Sequence, residues 1–344
     1  MAKQSRSGNP AVRRKPPTGS TPRPAPKQRR TPVAPPSGPG TELGVLPPDG
    51  AAYPQILRGE SFAPLRSVGG VIFGLAMFIL MTQLINRAVI TAGWALTDAG
   101  SPFEGFYADA IAYRNVWGML GANLGIMVLI PIAWTLMLVV HHVKPRWLAS
   151  VQPRIRWRYL LACLGVALIT LNGVLLLSTL AEQRPTIGVQ QGFLSFLVVV
   201  ILTSPLQAAA EEIFFRGYLL QALGSIVAKP WFGIVVSSVV FALLHGTQNL
   251  PLFIDRLAFG LLAAILVHKT GGLEAGIAAH VINNVFAYIV AGLTTSIAAL
   301  KATQSIGWLD AAFDVGGFAL FAALAYLVSR WLKVRTRVDL SHSR

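Results

Sequence analysis

Eight apolar runs, each close to the ~20 residues that an α-helix needs to cross a bilayer, divide most of this 344-residue chain. They fall at about 68–96, 117–140, 159–180, 192–223, 231–249, 252–268, 272–293 and 311–332. With no water in the hydrocarbon to satisfy backbone N–H and C=O groups, such runs are helical. Composition agrees, since 53% of residues are hydrophobic and only 12% charged, about half the charge of an ordinary soluble domain. The expectation is an all-α, polytopic membrane protein with about eight transmembrane helices. The fourth run is long, and the sixth is short with Asp255 and Arg256 near its start.

The net charge of +15 does not mark a nucleic-acid surface. Nine of the Lys/Arg residues lie in the first 30 positions, and most others flank apolar runs, where topology-setting charge belongs. The segment 97–116 sets Asp98, Glu104 and Asp109 against Arg114. The next connector carries Lys144, Arg146, Arg154, Arg156 and Arg158, and Lys229, Lys269 and "RWLKVRTR" fall on that same side. Eight spans with both termini cytoplasmic in the cell membrane satisfy this pattern. Trp94, Trp147, Trp157, Trp231, Trp308 and Trp331 sit near run ends, as an interfacial belt would. His141, His142 and His268 read as interfacial too.

Residues 1–60 are rich in Pro, Arg and Lys without apolar periodicity, which reads as a disordered basic tail beside anionic lipid. Three membrane helices then occupy 61–185, a polar-bearing helical core 186–295, and a last helix with a basic tail 296–344. The single cysteine, Cys163, excludes an intramolecular disulfide and a Cys-based metal cluster.

Charged and strongly polar groups at membrane depth concentrate in the core. Run four holds Glu211, Glu212 and Arg216, run five His245, and run seven His280, Asn283 and Asn284. Such groups are costly in lipid and turn toward a bundle interior or an aqueous cavity, so a shared site is expected. Glu212 and Arg216 stand i,i+4 and form an intrahelical ion pair, while Glu211 points about 100° away. His280 and Asn284 also share a face, Phe241 packs beside His245, and Asn283 reads as helix–helix glue. A carboxylate with two histidines and an amide is a set suited to activating water and holding an oxyanion.

The three clusters resemble the motifs of the CAAX protease and bacteriocin-processing family (CPBP, also called Abi), related to the Ras-converting CAAX endoprotease. "EEIFFRG" is similar to its EExxxR motif, "FALLH" to FxxxH and "HVINN" to HxxxN, in the same order, over about residues 190–290. The resemblance implies an intramembrane endopeptidase acting on membrane-associated protein or peptide substrates. Glu211 would be the base that activates water, assisted by His245. His280 and Asn284 would hold the oxyanion, with Glu212 and Arg216 supporting. A Zn²⁺ bound by His245, His280 and Glu211 is left open, although HExxH and Cys ligands are missing from the sequence. Two other classes compete: a catalytically silent scaffold or bacteriocin-immunity factor, and a proton-coupled transporter.

Overall fold

A computed structural model describes residues 44–181, 186–227 and 229–342, and all regular structure among them is helical apart from isolated bridges. The segment 1–43, most of the expected tail, lies outside the described residues. Helices α1 (Pro64–Thr97), α2 (Phe103–Ile111), α3 (Val116–Met127), α4 (Leu129–Thr135) and α5 (Trp157–Ala181) precede the core. The core comprises α6 (Phe193–Glu211), α7 (Leu220–Ile226), α8 (Trp231–Leu243), α9 (Leu250–Thr270) and α10 (Glu274–Thr294). The short α11 (Ile297–Ala302) and α12 (Trp308–Trp331) complete the bundle.

Seven continuous helical stretches are long and apolar enough to span a membrane. The eighth expected helix, 231–249, is the correction: α8 stops at Leu243 after 13 residues, about 20 Å against a hydrocarbon core of about 30 Å. Gly246 takes φ +83°, a left-handed conformation that ends helical pairing. Residues 244–249 continue as turn, bend and irregular chain to the start of α9. Asn249 then caps α9 through Leu252 N–H and donates to the Ile306 carbonyl, between α11 and α12. At the other end α8 lies tight on α7, where a Cβ at Gly233 would meet Gly224 N at 2.7 Å.

The outer ends of the described chain meet on one face of the bundle. Gly50 N–H donates to Val338 O, and Ala52 bridges Arg337. Arg156 closes this face from within, donating to both Glu274 oxygens and to the carbonyls of Thr270 and Arg335. The Lys/Arg connectors 144–158, Lys229, Lys269 and 330–337 all lie here. The opposite face carries α2, α11 and Asp98, Glu104 and Asp109.

Three expectations change in detail. The segment 44–60, read as tail, is packed: Tyr53, Ile56 and Leu57 are buried, and the Tyr53 hydroxyl donates to Leu148 O. "YPQIL" is apolar enough to dock even though its neighbourhood is not. Trp157, Trp231, Trp308 and Trp331 are exposed at helix ends, but Trp147 is fully buried in the core. Its 3-10 turn, Pro145–Leu148, folds under the bundle, and Gln221 donates to its carbonyl.

His141 is buried rather than interfacial, with Nε2 3.2 Å from Tyr218 Oη. Burial, with the Arg66 and His142 charges, pulls its pKa down to about 4. An unfolded histidine titrates near 6.5. Between these values the unfolded chain binds more protons, so stability falls as pH drops. Acidification from pH 7 to 5 is expected to lower the detergent Tm, with up to ~2 kcal/mol traceable to this ring. His141→Gln should flatten that dependence, and an unchanged slope in the variant would refute the assignment.

Candidate active site

The site begins in an irregularity of one helix. Residues 193–226 form a continuous apolar helical run, but Glu212–Leu219 winds as a π-helix between α6 and α7. The Leu220 N–H reaches back five residues to Phe215 O. Pro205, inside α6, already removes one backbone donor upstream. Wider turns of this kind occur mostly at functional positions. Here the wide winding begins at the second of the two glutamates.

Both glutamates reach one imidazole. His280 Nε2 lies 3.2 Å from Glu211 Oε2, and His280 Nδ1 lies 2.9 Å from Glu212 Oε1. The geometry so distributes three roles. Glu212 fixes the ring through Nδ1. Glu211 stands within hydrogen-bond reach of Nε2. Arg216 Nη1 stands 2.9 Å from Glu212 Oε1, off the axis of a directed hydrogen bond. The guanidinium stacks instead over Phe241, 3.9 Å from the ring centroid, with Phe259 at 5.2 Å. Glu212 and Arg216 are fully buried.

Gln207 was not foreseen, although it stands i,i+4 before Glu211 and that spacing was available. Its Nε2 donates to Glu211 Oε1 at 2.8 Å, and its Oε1 accepts from Asn284 Nδ2 at 3.2 Å. The amide thus links Asn284 to the carboxylate. Gly276, i,i+4 before His280, is also part of the site: a Cβ there would meet Glu212 Oε2 at 2.6 Å. That oxygen has no hydrogen-bond partner among the described residues, so the close packing of α10 against it depends on glycine.

His245 does not touch Glu211 directly. The two face the same cavity of about 670 Å³, together with His280, Asn283 and Asn284. The His245 Nδ1 lies 2.7 Å from Phe241 O. A carbonyl only accepts, so Nδ1 carries the proton and Nε2 keeps its lone pair. Asn283, expected between helices, is exposed on the cavity wall. The unwound 244–249 segment is tolerated at this depth because it lines that polar space.

The proposed metal ligands do not assemble. Among the described residues no three His, Cys, Asp or Glu side chains converge as a metal site. Both His280 nitrogens face carboxylates, and His245 is held apart by its bond to Phe241. The set His245, His280 and Glu211 does not fit a Zn²⁺ as arranged.

Residues 193–286 match a family described as type II CAAX prenyl endopeptidase Rce1-like. The match covers the membrane core and supports its resemblance to the CAAX protease family. The matched stretch contains every residue of the Glu211, His245 and His280 clusters, and the family it matches is one of proteases. The uncharacterized protein YyaK of Bacillus subtilis (strain 168) is 35% identical over 100 residues, covering 27% of this chain and 33% of that relative. The chain thus matches about a third of the relative's length. No solved structure matches.

Removing Arg216 leaves Glu212 buried without a cation, a change that costs about 3–5 kcal/mol at comparable sites. Arg216→Met is expected to lower the detergent Tm far more than Glu211→Gln, whose carboxylate faces the cavity. Equal losses in thermal unfolding would contradict this division. Gly276→Ala should displace Glu212 and release His280, lowering activity with a smaller loss of stability.

Proposed function

We propose that this protein is an intramembrane endopeptidase that hydrolyses peptide bonds of membrane-associated polypeptides. The observation that carries the reading is the Glu211–His280 pair, 3.2 Å apart at the floor of a large cavity otherwise surrounded by apolar helices. Glu211 is the general base. Its orientation is supported by Gln207, and His280 is oriented by Glu212.

In the proposed step a water oxygen bonds to the scissile carbonyl carbon while its proton passes to Glu211. His245 Nε2 accepts a hydrogen bond from the same water. The carbonyl π pair moves onto oxygen, and this oxyanion accepts from Asn284 Nδ2 and from the Nε2–H of His280. Collapse of the intermediate breaks the C–N bond, and the proton held by Glu211 goes to the leaving nitrogen. No other reactant is needed. Glu212 and Arg216 take no part in bond making; they hold the imidazole in register.

The same reading places the chain in the cell membrane with its Lys/Arg-rich face cytoplasmic, since basic connectors are retained on that side. Membrane lipid and a membrane-associated protein or peptide are its partners.

A base of this type contributes about 10²–10⁴-fold. Purified Glu211→Gln is expected to lose at least 100-fold in cleavage of quenched-fluorescent apolar peptides while keeping the wild-type Tm within a few degrees. Glu212→Gln should lose both activity and stability. Full cleavage by folded Glu211→Gln would end the assignment.

A further inference from the structure

The cavity has a closed end and an open end, and they lie on opposite faces of the bundle. Its floor is Glu211, Phe215, Phe241 and His280. Beyond the floor toward the basic face the structure is sealed. Glu212, Phe214, Arg216, Tyr218 and Gln221 are all fully buried, and Arg156 ties Glu274 to Thr270 and Arg335 across that end.

The rim is formed by different parts of the chain. Tyr113 lies between α2 and α3, Thr247 between α8 and α9, and Lys301, Thr303 and Gln304 belong to α11 and the connector after it. All of these lie on the face away from the Lys/Arg connectors. Lys301 extends over Tyr113, 5.1 Å from the ring centroid, and Asn249 N–H donates to Gln304 O. Leu244, His245 and Thr247 of the unwound 244–249 segment line this side of the cavity. Its walls mix polar Asn123, Asp255 and Arg256 with apolar Ile126, Phe259 and Phe318.

We propose that polypeptide reaches the hydrolytic site from the face opposite the Lys/Arg-rich one, so that the substrates are segments displayed on the extracytoplasmic side of the membrane. This rests on the endopeptidase reading above and on the basic face being cytoplasmic. His280 lies fourteen residues before the α10 end at Thr294, about 21 Å along the axis. An extended chain advances about 3.3–3.6 Å per residue, so roughly six unfolded residues are needed to reach the floor. Folded domains and lipid-buried helices are thereby excluded as direct substrates. An unfolded terminus or loop close to the membrane surface satisfies the geometry.

Cysteine accessibility tests this directly, because the native Cys163 is buried and Cys163→Ala gives a clean background. In that background Thr303→Cys marks the rim, Asn283→Cys the cavity and Lys269→Cys the basic face. A membrane-impermeant sulfonated maleimide is applied to intact cells and then to permeabilised cells. The proposal expects Thr303→Cys and Asn283→Cys to label in intact cells, and Lys269→Cys only after permeabilisation. The reverse pattern overturns it, as does Asn283→Cys labelling together with Lys269→Cys. Should Asn283→Cys fail to fold, attachment of a polyethylene-glycol maleimide at Thr303→Cys is measured instead. It should lower peptide cleavage at least 10-fold, with the same adduct at Lys269→Cys changing cleavage less than 2-fold; equal effects overturn the proposal. Labelling needs no catalysis. The expected pattern alongside undiminished cleavage by Glu211→Gln would sink the mechanism and leave the access route standing.

Discussion

The rest of this site depends on how two carboxylates and a guanidinium are held at membrane depth. A buried ion pair taken alone is a poor source of stability, because desolvation offsets most of the Coulomb attraction. Glu212 is compensated two ways, by Arg216 and by the Nδ1–H of His280, while Gly276 leaves room for its second oxygen. Arg216 disperses its charge over Phe241 and Phe259. With Glu212 neutralised in this manner, Glu211 is the carboxylate turned toward the cavity. Its partners, Gln207 and His280, are polar groups rather than a dedicated counter-ion.

The aromatic residues join this network to the fold. Phe241 stacks on Arg216, its ring lies 4.6 Å from that of His245, and its carbonyl fixes the His245 tautomer. Phe259 packs edge-on to His280 at 5.0 Å. Each polar group of the proposed chemistry therefore has an apolar neighbour that limits its rotation. Helices α6 to α10 must all be in place before any one of these groups is correctly aimed. That is a physical reason for the three clusters to lie on separate helices and still act as one unit.

Much of this was legible in the sequence. Runs of about 20 apolar residues mark seven of the helices, because length and hydropathy alone decide whether a segment crosses. The i,i+4 spacing placed Arg216 against Glu212, and the Glu211, His245, His280 and Asn284 set does line one cavity. What could not be read depends on small local departures from regular geometry. A straight α-helix sends Glu211 and Glu212 about 100° apart, yet the placement of α10 lets one imidazole, His280, lie within reach of both. Hydropathy averages over 231–249 and misses the left-handed Gly246 that ends α8. Trp147 and His141 resemble interfacial residues by position, and only the folding-in of 141–148 buries them. Gln207 and Gly276 lacked charge to attract notice, yet both sit at the same four-residue spacing that identified the others.

The shortened α8 connects the chemistry with the direction of access. A regular helix through 249 would satisfy its own backbone and fill the space beside His245. Ending it at Leu243 leaves polar backbone that must be paired, and Asn249 and Gln304 supply part of that pairing at the rim. The remaining groups face a cavity wide enough for water, which the proposed reaction consumes. On the other side, Arg156 and Glu274 close the floor with several buried hydrogen bonds. Water supply and substrate path are thereby confined to one face by the same irregular segment that delivers His245. A change that regularised 244–249 would remove the proposed base's companion and the proposed way in together, so the two proposals rest on one structural property of this segment.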